Sequence, residues 1–81
     1  MTQNLPIPLS LLQPGDQGEV VQVYAQGPVR QRLLEMGFIR GANFSTFSRA
    51  PLGDPMELVI KGYHLSLRRD ESSCILVQRM A

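Results

Sequence analysis

Met56, Leu58 and Ile60 alternate with Glu57 and Val59, and the alternation resumes at Tyr63, Leu65 and Leu67 after the dipeptide Lys61-Gly62. A period of two on both sides of a two-residue turn predicts an antiparallel hairpin. Residues 75–80 alternate in the same way. Residues 17–24 are rich in valine, with Val21 and Val23 on one face and Val20 and Tyr24 on the other, as in a strand partly buried on both faces. In residues 43–49, Phe44 and Phe47 fall on opposite faces of an extended chain, a parity break that implies a bulge or a strong bend. One stretch changes period. Val29, Leu33 and Met36 recur at helical spacing while Gln31, Arg32 and Glu35 face water, which predicts one short helix over about residues 28–36. Pro28 suits its first turn, and Gly37 ends it, with Phe38 folding back on the last turn as in a Schellman motif.

Turn formers divide the rest. Residues 1–8, with Pro6 and Pro8 and no period, read as a tail pinned by Leu5 and Ile7, and residues 9–81 as a single domain. Ser10 can cap a short turn that Pro14-Gly15 ends, Arg40-Gly41 turns the chain after the helix, and Asp70-Glu71-Ser72-Ser73 forms a polar turn. Five short strands and one helix predict a mainly β fold, a small bent barrel with the helix covering one end. Parallel pairing needs longer crossovers than these connections provide.

The stretch from Ala50 to Pro55 is stiff. Pro51 and Pro55 fix φ near its ends, Gly53 permits a positive φ, and Asp54 can bond its own backbone. Leu52 is its one large apolar residue, so it either folds onto the core or is presented to a partner.

Composition narrows the function. A net charge of +1, with seven arginines spread along the chain, gives no electrostatic footprint for a phosphate backbone. The single cysteine, Cys74, excludes an internal disulfide and agrees with a reducing, cytoplasmic setting. No apolar run is long enough to span a membrane, and the N-terminus lacks the basic start and apolar stretch of a secretion signal. His64 and Cys74 have no neighbours in sequence that would make a nucleophile and base pair, and each reads as an exposed or half-buried strand residue. Gly37 and Gly41 match no phosphate-binding spacing. Asp54, Glu57, Asp70 and Glu71 read as solvated turn charges rather than metal ligands, and the charge run from Arg68 to Glu71 as a soluble strand end. No catalytic residue, cofactor site or metal ligand is therefore expected.

Taken in order, Leu33-Leu34-Glu35-Met36-Gly37-Phe38, Arg40-Gly41, the sextet from Ala50 to Pro55 and Leu65-Ser66-Leu67-Arg68 resemble the FeoA family of bacterial ferrous iron transport proteins. The resemblance covers about residues 9–80. Arg40 departs from it, since the family commonly has proline before that glycine. The resemblance implies an SH3-like, five-stranded barrel in the cytoplasm. It also implies a non-enzymatic accessory that docks on FeoB, the membrane permease with a GTP-hydrolysing domain, and supports iron(II) import without inserting in the membrane. Expected partner contacts are Pro51, Leu52, Gly53 and Asp54 of the stiff loop, with Arg68 and Arg69. Two other readings stand beside it. A small barrel can bind single-stranded nucleic acid, but this requires exposed aromatics among the arginines, and Tyr24, Phe38, Phe44, Phe47 and Tyr63 are mostly expected in the core. An iron(II) chaperone requires a site that replacement of Asp54 or Glu57 abolishes.

Overall fold

The protein is described by a computed structural model over residues 5–49 and 54–80. Its sheet is organised by the hairpin of β4 (Met56–Ile60) and β5 (Tyr63–Leu67). Lys61 and Gly62 both have positive φ, 53° and 81°, which is a type I′ turn whose twist matches the flanking strands. That turn pairs Ile60 with Tyr63, Leu58 with Leu65 and Met56 with Leu67. Met56, Leu58 and Ile60 consequently all point into the core and are almost wholly buried.

Four further strands extend the sheet: β1 (Ile7–Pro8), β2 (Gln17–Val23), β3 (Asn43–Arg49) and β6 (Ile75–Met80). All pairs are antiparallel, in the order β1-β6-β2-β3-β4-β5. The expected strands are present, with a sixth at the N-terminal side. Ile7 and Pro8 pair with Val77 and Leu76 in an edge position that needs only a short ladder, and Ile7 packs on the core while Leu5 stays exposed. A single turn of 3₁₀ helix at Leu9–Leu11 follows, burying Leu9, and Leu12 after it is buried as well.

Two bulges bend the sheet. In β3 the register shifts between Thr46 and Ser48, as the Phe44/Phe47 parity requires, so Phe44 is buried and Phe47 is 59% exposed. In β2 it shifts between Val20 and Gln22, which the valine pattern does not show. The extra residue, Val21, lets both Val20 and Val23 face the core and turns Tyr24 out to solvent, not onto the opposite apolar face.

Helix α1 (Gly27–Glu35) carries proline in its first turn and ends in a Schellman motif. Gly37 N–H donates to the Leu34 carbonyl and Phe38 N–H to the Leu33 carbonyl, at 3.0 and 3.1 Å, with Gly37 at φ 110°. Leu33 and Phe38 are fully buried, whereas Val29, expected on the buried stripe, is 45% exposed, like the whole stretch of residues 26–32 around it.

The polar turn expected at residues 70–73 is a short helix, α2 (Arg69–Ser72). Glu71 Oε1 accepts the Arg68 N–H at 2.9 Å, while the Arg68 and Arg69 carbonyls accept the N–H groups of Ser72 and Ser73. The usual sequence mark of this start, Ser or Thr three residues before Glu, is absent because Arg68 occupies the capping position.

Between β2 and its neighbours there is no room for a side chain at Gly18. A Cβ there would stand 2.8 Å from the Gln78 carbonyl oxygen and 2.9 Å from Phe44 Cζ. Gly18→Ala is expected to lower stability by about 1–3 kcal/mol, the usual cost of overpacking, read as a fall in the urea midpoint at unchanged slope. An unchanged midpoint would mean that the strands do not approach this closely in solution.

Candidate docking surface

The hairpin register decides what meets at the base of the stiff loop. Pairing Met56 with Leu67 continues one alternate step outward to Asp54 and Arg69, and Asp54 Oδ1 accepts the Arg69 N–H at 2.9 Å. The carboxylate thereby satisfies one of the free N–H groups at the start of α2. The peptide between Asp54 and Pro55 is cis. Of the expected contact residues, Asp54, Arg68 and Arg69 are thus together on an exposed corner. Pro51, Leu52 and Gly53 lie outside the described residues.

Glu71 ties this corner to α1. One of its carboxylate oxygens caps Arg68, and the other forms an ion pair with Arg32, whose guanidinium comes from the exposed face of the helix. Glu71 is 15% exposed at its side chain and Arg32 is 57% exposed, so the carboxylate is the anchored partner. Ser72, nearly buried behind it, donates to the Arg69 carbonyl.

On the other side of α1 lies an apolar groove of about 500 Å³, bordered by Leu34, Met36 and Ile39 on one bank and by Tyr63 and Leu65 on the other, with Lys61 at its rim. Sequence reasoning placed Met36 on the buried helix stripe and Tyr63 among the aromatics mostly expected in the core. Instead burial falls along β5 from Leu67, buried, through Leu65, half-buried, to Tyr63, 71% exposed. β5 is the last strand of the sheet, and α1 stands across a groove from Tyr63 and Leu65. The signal available in sequence was an apolar alternation that outlasts the elements able to cover it.

The remaining chemistry is dispersed. His64 sits on exposed β5 and meets Phe47 edge to face, with ring centroids 5.4 Å apart. Cys74 lies just before β6, not on a strand, and its thiol donates to the Asp70 carbonyl at 3.2 Å. Glu57 accepts from the Ser48 hydroxyl at 3.0 Å. Among the described residues no three His, Cys, Asp or Glu side chains converge as a metal site would need, and no helix is long and apolar enough to cross a membrane.

Six antiparallel strands in one sheet, with a short helix packed on its inner face, define a small SH3-like β domain. The zinc-complexed FeoA of Stenotrophomonas maltophilia, described as a procaryotic SH3 domain protein, shares this fold at 24% identity and a TM-score of 0.77, over 89% of this chain and 93% of that one. The FeoA domain family matches residues 7–79, and the chain belongs to that family. The NMR structure of a FeoA-like protein from Clostridium acetobutylicum is 33% identical, with a TM-score of 0.87, and covers 100% of this chain and 92% of its own. Among curated proteins, the Fe(2+) transport protein A/Fe(2+) transporter FeoB fusion protein of Porphyromonas gingivalis is 43% identical over 70 residues. That match takes in 86% of this chain but only 8% of the fusion protein's length.

Replacing Glu71 by alanine removes the cap on Arg68 and the ion pair together, and is expected to cost about 1–2 kcal/mol, most of it from the cap. Arg32→Ala should cost under about 0.5 kcal/mol, because its end of the pair is solvated. Urea denaturation of both variants tests this, and equal losses would put the ion pair above the cap.

Proposed function

We propose that this chain is a non-enzymatic accessory of ferrous iron uptake that docks, from the cytoplasmic side, on a FeoB-type permease and its GTPase domain. The observation that carries this reading is the Porphyromonas gingivalis relative, in which a region 43% identical to this chain shares one polypeptide with a FeoB transporter. Fusion holds two parts in constant proximity, which is of use when they act on one another. The docking face in this reading is the edge of β5 from Tyr63 to Leu67 with the corner beyond it. Pro51, Leu52, Gly53 and Asp54 meet the partner beside Arg68 and Arg69, and the groove by Tyr63 takes its apolar side chains. An exposed apolar groove with a polar rim is the usual anatomy of a protein interface.

Three aromatics expected in the core, Tyr24, Phe47 and Tyr63, are exposed instead, which bears on the nucleic-acid reading. They do not make one stacking platform. Tyr63 and His64 are consecutive on β5 and so face opposite sides of the sheet, and Phe47 lies with His64. Tyr24 is beyond the end of β2.

The test is retention of the permease's cytoplasmic domain by this chain at about ten to one hundred micromolar, with and without guanine nucleotide. No retention in either condition sinks the docking reading. Given binding, Tyr63→Ala is expected to change folding stability by less than about 0.5 kcal/mol and to weaken affinity about five- to thirty-fold, the effect of losing 1–2 kcal/mol at an interface anchor. Leu52→Ala is expected to behave in the same way. A large fall in melting temperature with unchanged affinity would make Leu52 a packing residue and move the interface elsewhere.

A further inference from the structure

A second, smaller cleft of about 290 Å³ lies on the opposite flank of α1, between the helix, the loop after it and β2. Its apolar part comes from Val21, Leu34 and Phe38, and its polar part from Gln22 and two guanidinium groups, Arg30 and Arg40. Among the described residues no carboxylate lines it, and neither arginine has an ion-pair partner, whereas Arg32 on the same helix is paired with Glu71. Glu19, whose carboxylate lies against Gly41, is not part of the lining.

Three observations converge on this cleft. Two like charges bordering one small cavity repel each other, and an anion placed between them relieves that repulsion while accepting from both planar groups. Val21 is the extra residue of the β2 bulge, so the β2–β6 ladder is interrupted at the cleft wall, as bulges at functional sites commonly arrange. Leu34 lines this cleft and the apolar groove alike, so the two clefts flank the helix and are continuous with the proposed docking face.

We propose that Arg30 and Arg40 clamp a carboxylate, an aspartate or glutamate side chain set among apolar residues, of the protein that docks on this chain. The choice of a side-chain carboxylate over a free phosphate follows from Val21 and Leu34, the half-buried apolar residues of the lining. Those residues reward burial of methylene and apolar neighbours and offer nothing to the hydration shell of a small multivalent anion. Identifying the partner rests on the docking reading above, but the clamp itself is testable without it.

Two measurements on the full chain separate the two ideas. In the first, the Nε–H signals of Arg30 and Arg40 are followed by NMR while acetyl-Leu-Glu-Leu-amide, its Gln counterpart or inorganic phosphate is added. The clamp requires both arginine signals to move with the Glu peptide and not with the Gln peptide. No movement, or movement at lower concentration with phosphate, overturns it. In the second, the permease cytoplasmic domain is titrated with the wild type and with the Arg30→Gln/Arg40→Gln variant, whose thermal midpoint is measured alongside. The expected result is an affinity loss of about tenfold or more and a shallower salt dependence at an unchanged midpoint. Wild-type binding that the double substitution leaves untouched overturns the clamp and leaves the docking reading standing. If the wild type itself does not bind, the docking reading fails, and the clamp stands or falls on the peptide titration.

Discussion

The hydrogen bond from the Phe38 N–H to the Leu33 carbonyl fixes where the helix ends and therefore where everything on it points. It closes only because Gly37 adopts a positive φ that other residues reach at a cost. With the chain reversed there, Leu33 and Phe38 enter the core together, Leu34 is left on the ridge between two clefts, and Ile39 comes to the bank of the groove opposite Tyr63. Arg40 then reaches the other flank. A helix that ran one turn further would carry Phe38 out of the core and leave neither cleft in place.

The same economy governs the loop before β2. Asp16 accepts the Gln13 N–H through its carboxylate at 2.8 Å, and Thr46 of β3 sits buried above this turn. Its hydroxyl lies 2.5 Å from the Gln13 carbonyl and 2.7 Å from that of Asp16, and its one proton serves one of them at a time. Its backbone N–H and carbonyl pair with Asp16 and Gly15. A buried polar residue is tolerated here because its groups have partners within the turn it holds.

What could be read from sequence divides along physical lines. The β4–β5 hairpin, the helix stop and the bulge in β3 were legible because each depends on a few adjacent residues: Lys61-Gly62 for the turn, Gly37-Phe38 for the cap, the Phe44/Phe47 parity for the bulge. The bulge in β2 was not, since the consecutive Val20 and Val21 suit either register and leave the slip unmarked. Helix α2 was missed because its cap is made by Glu71 reaching back to the backbone of an arginine. The exposed positions of Val29 and Tyr63 depend on how far one element covers another, which no local pattern states. At the docking corner, Asp54 beside Arg69 could have been obtained by counting outward from the I′ turn; the groove and the arginine cleft depend on tertiary packing.

The pairing of β1 with β6 has a consequence for how such a domain can be tethered. Ile7 lies opposite Val77 and Pro8 opposite Leu76, so the backbone comes in along one strand and goes out along its antiparallel neighbour at the same corner of the sheet. β1 and β5 stand at opposite ends of the strand order, yet α2, which follows β5, packs on the 3₁₀ turn that follows β1. A linker attached on either side of the domain would therefore swing it about one common pivot. Covalent attachment to a larger protein, as in the relative joined to a FeoB transporter, then raises local concentration without choosing between the two ends.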